Sequence, residues 1–223
     1  SSNGVAFQIP TGLASDATVS TTTDVELPYI NPSAGDMPLH TVFHLNNYII
    51  QGHRIESELL VFRASEYAQY TEKTAQIIAS LQNLQYTPGQ PLPENLKDGA
   101  YQGQIQPLQF QNGKGLRYLV QFDQAPLPAN NKAIYYYFHG LTNDGQFYVQ
   151  VFLPIHVSFL VEDDQPTSIA PADGVQFDWA NLDSFSAYAE AINQKLNAAG
   201  PNSFSPSLTT LDALTQSLMI VAP

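Results

Sequence analysis

The sequence predicts an α+β fold in which a mostly antiparallel central sheet is covered by helices on both faces, forming a three-layer α/β/α sandwich. One observation is the segment YYYFHGLTNDGQFYVQVFLPI, from Tyr135 to Ile155, which has the pattern of a hairpin that is apolar on both faces. Another is that three other segments have the apolar spacing of amphipathic helices. Because strands that are apolar on both faces need cover on both sides, the helices are expected to supply two outer layers.

The composition predicts a single domain over residues 1–223. A chain of 223 residues can bury a sizeable core without cross-links, and it contains no cysteine. Twenty acidic residues against eight basic ones give a formal charge of −12, which repels nucleic-acid phosphates and anionic lipid. We therefore expect no nucleic-acid partner. No apolar run approaches the roughly 20 residues that cross a bilayer, so no transmembrane segment is expected in this chain.

Turn residues divide the N-terminal part into short strands. GVAFQIP (residues 4–10) and ATVSTTTDVEL (17–27) predict an opening pair, the second of which is rich in β-branched residues. The prolines and glycine between Pro28 and Pro38 predict a loop. LHTVFHLNNYII (39–50) and IESELLVFRA (55–64) predict the next two strands.

The middle of the chain predicts a helix and then a hairpin. From Ser65 the apolar positions keep helical spacing, at Tyr67, Tyr70, Thr74, Ile77, Ile78, Leu81 and Leu84. The proline-rich TPGQPLPENL (87–96) ends this helix. In IQPLQFQNGKGLRYLVQF (105–122), Asn112 and Gly113 are expected to supply the positive φ angles of a tight turn.

The second hairpin has Asn143-Asp144-Gly145 as its tip. If Asn143 and Asp144 form a type I turn and Gly145 is left-handed, Leu141 pairs with Phe147 and Tyr137 with Val151. One face then carries Tyr135, Tyr137, His139, Leu141, Phe147, Val149, Val151 and Leu153, and the other carries Tyr136, Phe138, Tyr148 and Phe152.

Two more helices are predicted in the C-terminal third. DSFSAYAEAINQKLNAAGP (183–201) offers Asp183 or Ser184 as N-cap, followed by an apolar stripe of Phe185, Tyr188, Ala189, Ile192 and Leu196. SPSLTTLDALTQSLMIVAP (205–223) offers Ser205 as cap and Pro206 at the first helical position. Its stripe is Leu208, Leu211 and Thr215, and it ends in a short strand, LMIV.

The histidines are the first candidates for chemistry. His40 and His44 are spaced H-x-x-x-H, which on a helix places two imidazoles at metal-ligand spacing. Their flanks predict a strand, where four residues span about 13 Å, too far for two ligands of one zinc. We therefore expect no metal here, and no cofactor. His139 lies on an apolar strand face and is expected to be a core histidine, while His53 and His156 lie at strand ends with no evident partner.

The acidic residues suggest no defined site. VEDDQP groups Glu162, Asp163 and Asp164, and the NDG turn offers Asp144. The group lacks the alternating oxygen ligands of a calcium loop, so a solvated loop is the expected role. Paired carboxylates for glycoside hydrolysis would lie about 5 to 9 Å apart across a cleft, and no such pair stands out in the sequence.

Motifs for nucleophilic catalysis are absent, since the chain contains no G-x-S-x-G, S-x-x-K or H-E-x-x-H. GKG at residues 113–115 lacks the spacing of a phosphate loop and is interpreted as a hairpin tip. Tyr135 and Tyr137 face opposite to Tyr136 on a strand, so the three tyrosines are expected to pack in layers and not to form one binding platform. The sequence assigns no catalytic, cofactor-binding, metal or ligand-binding residue.

Four strings resemble landmarks of a family of exported bacterial lipoproteins with no assigned activity: GVAFQIPTGLA, FQNGKGLRYLVQF, YYYFHGLTNDGQFYVQVFLPI and PSLTTLDALTQSLMIV. The order of elements is similar to the PsbP-like α/β/α sandwich, whose members include extrinsic photosystem subunits and binding modules. The resemblance implies an extracytoplasmic location. No lipid-bearing cysteine is present, so an anchor would lie upstream of Ser1, and the opening SSNG suggests a mature or trimmed chain.

Three functional hypotheses follow. The first is a non-catalytic extracytoplasmic interaction or ligand-binding domain with an unknown protein or small-molecule partner. The second is an extracellular hydrolase of sugar or ester substrates that uses scattered groups such as His53, Asp163 or Asp164. The third is a structural envelope component, which predicts no pocket and an extended interface. The missing motifs favour a non-enzyme and leave the question open.

Overall fold

The computed structural model describes residues 2–24, 36–123 and 125–222. Its strands and helices are β1 (Val5–Ala6), β2 (Asp16–Thr22), β3 (His40–Asn46), β4 (Glu58–Arg63), α1 (Ala64–Tyr70), α2 (Glu72–Gln82), β5 (Tyr101–Phe110), β6 (Gly113–Gln121), β7 (Ile134–Thr142), β8 (Phe147–Pro154), β9 (His156–Val157), α3 (Phe185–Ala198), β10 (Phe204–Ser205), α4 (Leu208–Gln216) and β11 (Met219–Ile220). The predicted loop between Pro28 and Pro38, like the end of the predicted strand 17–27, lies mostly outside the described residues.

A seven-stranded antiparallel sheet forms the centre of the described chain, in the order β2-β3-β4-β8-β7-β6-β5. Two short ladders, β1 with β11 and β9 with β10, lie beside it. The predicted antiparallel sheet is confirmed, and so is the short strand within LMIV. The two opening strands do not pair with each other, because β1 pairs with β11 and β2 with β3. Every residue of β7 and β8 is buried, as the apolar pattern of the long hairpin predicts.

The predicted register of the long hairpin was wrong by one residue. Leu141 pairs with Tyr148, and Tyr137 pairs with Phe152. Gly145 is left-handed at φ 71° as predicted, but the loop contains four residues because two side chains satisfy its ends. The Thr142 hydroxyl accepts from the Phe147 amide at 3.0 Å, and the Asp144 carboxylate accepts from the Gln146 amide at 3.0 Å. Tyr148 and Phe152 therefore share a face with Tyr137, while Phe147, Val149, Val151 and Leu153 share the opposite face with Tyr136.

The tip of the first hairpin also differs from its prediction. Phe110 pairs with Gly113, so the turn is Gln111-Asn112, and residues 113–115 belong to β6. Neither Asn112 nor Gly113 has a positive φ. Gly113 is needed for space, because a Cβ there would lie 2.0 Å from the Phe110 ring and 2.4 Å from the Leu141 carbonyl oxygen.

On one face of the sheet, the helix predicted from Ser65 is divided in two at Thr71. The Thr74 amide donates to the Thr71 hydroxyl at 3.1 Å, and the Thr71 amide donates to the Thr74 hydroxyl at 2.9 Å. This capping box ends α1 and begins α2. The predicted stripe is buried at Tyr67, Thr74, Ile77, Ile78 and Leu81.

The opposite face packs against α3 and α4. The predicted stripes are buried at Tyr188, Ala189, Ile192, Leu196, Leu208, Leu211 and Thr215. Phe185 is only partly buried, and Leu214 is buried in addition. The predicted caps were wrong. A 3₁₀ turn over Leu182–Ser184 precedes α3, and the Ser184 side chain makes no capping bond. Ser205 belongs to β10, and Ser207 caps α4 by accepting from the Thr210 amide at 3.2 Å.

The prediction of a three-layer α/β/α sandwich was wrong. The protein is dominated by its sheet, with 32% strand against 24% helix, and its four described helices do not form two complete layers. On the α3 and α4 face, core residues Leu13, Ile155, Phe159 and Phe177 come from irregular chain. The physical reason is that hydrophobic burial is non-directional, so an apolar strand face requires cover but does not require helical cover.

Helix α3 also closes one edge of the sheet, along β5. The Gln102 and Gln104 amides of β5 donate to the side-chain oxygens of Asn193 and Asn197, both at 2.7 Å. The approach is close at Gly103, where a Cβ would lie 2.6 Å from the Cβ of Leu196. Side chains of α3 therefore take the place of a neighbouring strand at this edge.

A buried ion pair joins α4 to the sheet. The Arg117 guanidinium, whose side chain is 4% exposed, donates to both carboxylate oxygens of Asp212 at 3.1 Å. The Tyr136 hydroxyl donates to the same carboxylate at 3.0 Å. Two donors thus satisfy the carboxylate, which is what makes a buried charge tolerable.

Candidate functional site

The candidate site is a cleft at the start of β4, on the sheet face that also carries α1 and α2. It has a volume of about 390 Å³ and adjoins a second hollow of about 230 Å³. The two hollows share His44, His53, Ile55 and Glu56, and Glu58 lines the larger one. Their size is that of a small-ligand site.

Glu58 is the most unusual group of the cleft, which we call the Glu58 cleft. Its strand is otherwise apolar up to Phe62, and Glu58 is only 9% exposed. Among the described residues, no N–H or O–H donates a hydrogen bond to its carboxylate; the nearest polar contact is with His44. Burial, followed by the charge of neighbouring Glu56, raises the pKa of Glu58 to about 7. A carboxyl that titrates near neutrality in a cleft is a mark of a functional site.

His44 faces Glu58 across the β3–β4 pairing. The two residues are direct partners in the ladder, and Nδ1 of His44 lies 3.5 Å from a Glu58 carboxylate oxygen. This is within the range of an ion pair, but the geometry is not that of a hydrogen bond. The His44 side chain is 42% exposed. It therefore contacts both Glu58 and the solvent of the cleft, and its Nδ1 makes no hydrogen bond to the carboxylate.

His53 lies where the two hollows meet. Its ring packs edge-on against Tyr135 with centroids 5.5 Å apart. Burial lowers its pKa to about 4, and the charge of Lys132 acts in the same direction. Within the described part of the chain, neither ring nitrogen makes a hydrogen bond of good geometry. The backbone groups of Ile155 and Ile134 act on the ring without a hydrogen bond of good geometry. His53 is therefore a neutral imidazole at physiological pH.

Arg54 borders the cleft but its charge is already compensated. It donates to Asp123 at 2.7 Å and to Asp164 at 2.6 Å. Among the described residues of the larger hollow, the other charged groups are acidic, namely Asp24, Glu56 and Glu58. The cleft consequently has a negative potential, in keeping with the net charge of the chain.

The structure separates the other residues singled out in the sequence. His40 lies on the same strand as His44, but its Nδ1 is 2.8 Å from the Pro38 carbonyl and its ring stacks on Phe62 at 4.5 Å. His156 lies 3.3 Å from Glu162, which is 72% exposed on its side chain. Asp163 accepts from Ser168 and Gln165 within its own loop.

Of the three groups named for the hydrolase hypothesis, His53 lines the cleft, and the two aspartates are bound elsewhere. Asp164 binds Arg54, the neighbour of His53 in sequence, whereas Asp163 is held in its loop. Asp144 is a turn residue, and its pKa is lowered because Thr142 and the Gln146 amide donate to it. Groups of three or more His, Asp or Glu side chains able to hold a metal do not occur in the described ranges.

His139 is a core residue, as the sequence predicts. It is 1% exposed, and burial lowers its pKa to about 3. Its ring lies among tyrosines, with centroids 5.1 Å from Tyr137 and 5.7 Å from Tyr118. We call His139, Tyr118, Tyr137, Tyr148 and Gln150 the His139 cluster; the Gln150 amide donates to the Tyr137 hydroxyl at 2.8 Å. The three adjacent tyrosines 135–137 are buried on alternate faces, which confirms layer packing.

Glu58 is the functional candidate that sequence reasoning missed. IESELLVFRA was interpreted only as a strand, although a glutamate between Ser57 and the apolar run from Leu59 was a usable signal. A charged residue inside a strand that is apolar on both faces is either paired or functional. His53 gave no such signal, because its burial depends on packing against β7, far along the chain.

Comparison with protein-family models, with curated proteins and with solved structures found no match for this chain. In the part of the chain that the structure describes, none of the helices is long and apolar enough to span a bilayer. The residues of the Glu58 cleft are therefore assigned on geometry and physical chemistry alone.

Proposed function

We propose that this protein is a non-catalytic, extracytoplasmic ligand-binding domain and that its ligand binds in the Glu58 cleft. The observation that carries the proposal is a carboxyl that is nine-tenths buried, lines an open cleft and receives no hydrogen bond from the described residues. Burying such a group without a partner costs free energy, so its position requires compensation. A bound ligand would supply it.

The polar groups of the cleft favour binding over catalysis. A hydrolytic nucleophile needs a base within hydrogen-bond reach, and the His53 imidazole makes no such bond to a described hydroxyl. His44 contacts a carboxylate and not a nucleophile. The location outside the cytoplasm rests on the resemblance of four sequence strings to exported lipoproteins.

A thermal-shift screen tests the proposal. Purified protein is heated with amines, sugars, short peptides, lipids and divalent cations, since a ligand that binds only the folded state stabilises it by about 2.7 kcal/mol at a hundred times its Kd. We expect one class to raise the Tm, and we expect Glu58→Gln and His53→Ala to abolish the shift. Glu94→Gln is the matched control, because Glu94 is exposed and its carboxylate binds Lys97 at 2.7 Å. A screen without any shift would overturn the proposal.

A hydrolase of sugar or ester substrates is the second candidate. One observation favours it: Glu58, with a pKa near 7, lies beside the exposed Glu56 in the same cleft. Two carboxyl groups in one cleft, one of them with a raised pKa, are the groups that glycoside hydrolysis uses. Aryl glycosides and aryl esters would test this candidate. Turnover that is lost in both Glu58→Gln and Glu56→Gln would replace the binding proposal.

The structural envelope role has less support. That hypothesis expects no pocket, whereas the described residues form the Glu58 cleft and its neighbouring hollow. We therefore place it behind the two site-based candidates.

A further inference from the structure

We infer that the ligand of the Glu58 cleft is a small organic cation with a short alkyl chain, such as an alkylamine or an alkylguanidine, whose cationic head donates to the Glu58 carboxylate. The inference rests on the proposed binding function and narrows it to one class of ligand. It follows from the charges of the cleft walls, the apolar residues that line them and the lack of a competing donor.

The charged groups around Glu58 favour a cation. Glu56 and Asp24 line the same hollow, and Glu58 meets Phe152 on its other side in the sheet. Arg54 is the fixed cation among the described lining residues, and Asp123 and Asp164 occupy its guanidinium. An anion entering this cleft would meet uncompensated carboxylates. A cation would supply the charge-assisted hydrogen bond that Glu58 lacks.

The apolar residues of the cleft indicate an alkyl chain behind the cationic head. Val42, Ile55 and Leu60 line the hollow around Glu58. Its described lining contains no Phe, Tyr or Trp, the side chains on which a sugar ring would pack. A hydrated metal ion is disfavoured too, since the described His, Asp and Glu residues do not form a metal-binding group of three. An alkyl chain of a few carbons matches a hollow of about 390 Å³.

The inference predicts that binding and proton release are linked. A guanidinium stays charged at all relevant pH values, so a change of its affinity with pH reports on the protein. A carboxyl with a pKa of about 7 is mostly ionised at pH 8 and mostly protonated at pH 6. We therefore expect butylguanidinium to bind about tenfold more weakly at pH 6 than at pH 8. His44, Asp24 and Glu56 are other titratable groups that line the hollow beside Glu58, whereas His53, with its pKa lowered to about 4, stays neutral at both pH values.

The experiment is isothermal titration calorimetry of the whole protein at pH 6 and pH 8 with butylguanidinium, with the neutral alcohol butanol and with the anion butyrate, all at millimolar concentration. We expect binding of butylguanidinium alone, weakened at pH 6 and lost in Glu58→Gln but kept in Glu94→Gln. Circular dichroism verifies that each variant is folded.

Two results would overturn the inference. One is that butylguanidinium does not bind, or binds equally well to Glu58→Gln. The other is that butanol or butyrate binds as tightly as the cation. If a different class from the thermal-shift screen binds in a Glu58-dependent way, the proposed function stands and the cationic ligand is wrong. If no class binds, both are wrong.

Discussion

The His139 cluster and the Glu58 cleft each contain a buried titratable side chain, but the surroundings of the two side chains differ. His139 and Glu58 both lie on the sheet face that carries α1 and α2, and burial shifts the pKa of each in the direction that favours its neutral form. His139 is sealed among tyrosines with 1% exposure, whereas Glu58 lines a cleft that solvent reaches. The difference teaches that desolvation alone does not identify a site. Access decides whether a buried group stabilises a core or receives a ligand.

The largest expected effect comes from removing one partner of the Arg117–Asp212 ion pair. Asp212→Ala leaves the buried Arg117 guanidinium without its carboxylate, and we expect the free energy of unfolding to fall by about 3 to 5 kcal/mol. Urea denaturation measures it. The comparison is Glu94→Ala, which removes the exposed pair with Lys97 and should cost no more than about 1 kcal/mol. Equal losses in the two variants would contradict the conclusion that burial of Arg117 makes its ion pair with Asp212 important for stability.

The next effect is the pH dependence that His139 imposes. Because its folded pKa lies below its unfolded value of 6.5, this contribution to stability is complete above pH 6.5 and is lost as the pH falls. Between pH 6.5 and 5 the loss amounts to about 2 kcal/mol. His139→Gln should have a flatter pH profile in urea denaturation, even if it is less stable at pH 7. His156→Gln, a change at a half-exposed side chain, should keep the slope of the parent protein.

The smallest effect is expected at the open cleft, and it has the opposite sign. The folded pKa of Glu58 is raised from 4.5 to about 7, so the stability that it contributes is present at low pH and is lost as the pH rises through that window. The full pKa shift corresponds to about 3 kcal/mol at pH 8, and solvent in the open cleft screens part of it. We therefore expect Glu58→Gln to be nearly neutral at pH 4.5 and to stabilise the protein by about 1 to 2 kcal/mol at pH 8. Thermal or urea unfolding at the two pH values tests this. If Glu58→Gln is less stable than the parent protein at pH 8, Glu58 stabilises the fold and the prediction is wrong.

The sequence predicted the sheet better than its cover. The apolar pattern of residues 135–155 indicates strands buried on both faces, because each alternate set of side chains is apolar, and this was correct. The register failed since Thr142 and Asp144 extend the loop through their side chains, which backbone turn rules do not count. The prediction of two helical layers was wrong because irregular segments around Leu13 and Phe177 also pack against the sheet.

The candidate site was harder to predict than the core. A core histidine could be inferred at His139 from its apolar neighbours in one strand. The Glu58 cleft requires the end of β2, strand β3 and the segment before β4 to meet, and no local pattern encodes that meeting. Only the glutamate within an apolar strand was visible from the sequence.

The contact between α3 and β5 has a consequence for how copies of this protein meet. A strand from a second molecule would normally recruit the free amides of a sheet edge. Along β5, the amides of Gln102 and Gln104 are already bound to Asn193 and Asn197 of the same chain. An incoming strand must compete with acceptors that are held in place by a packed helix. The two asparagines therefore act against aggregation, by keeping this edge from templating a sheet that runs from one molecule into the next.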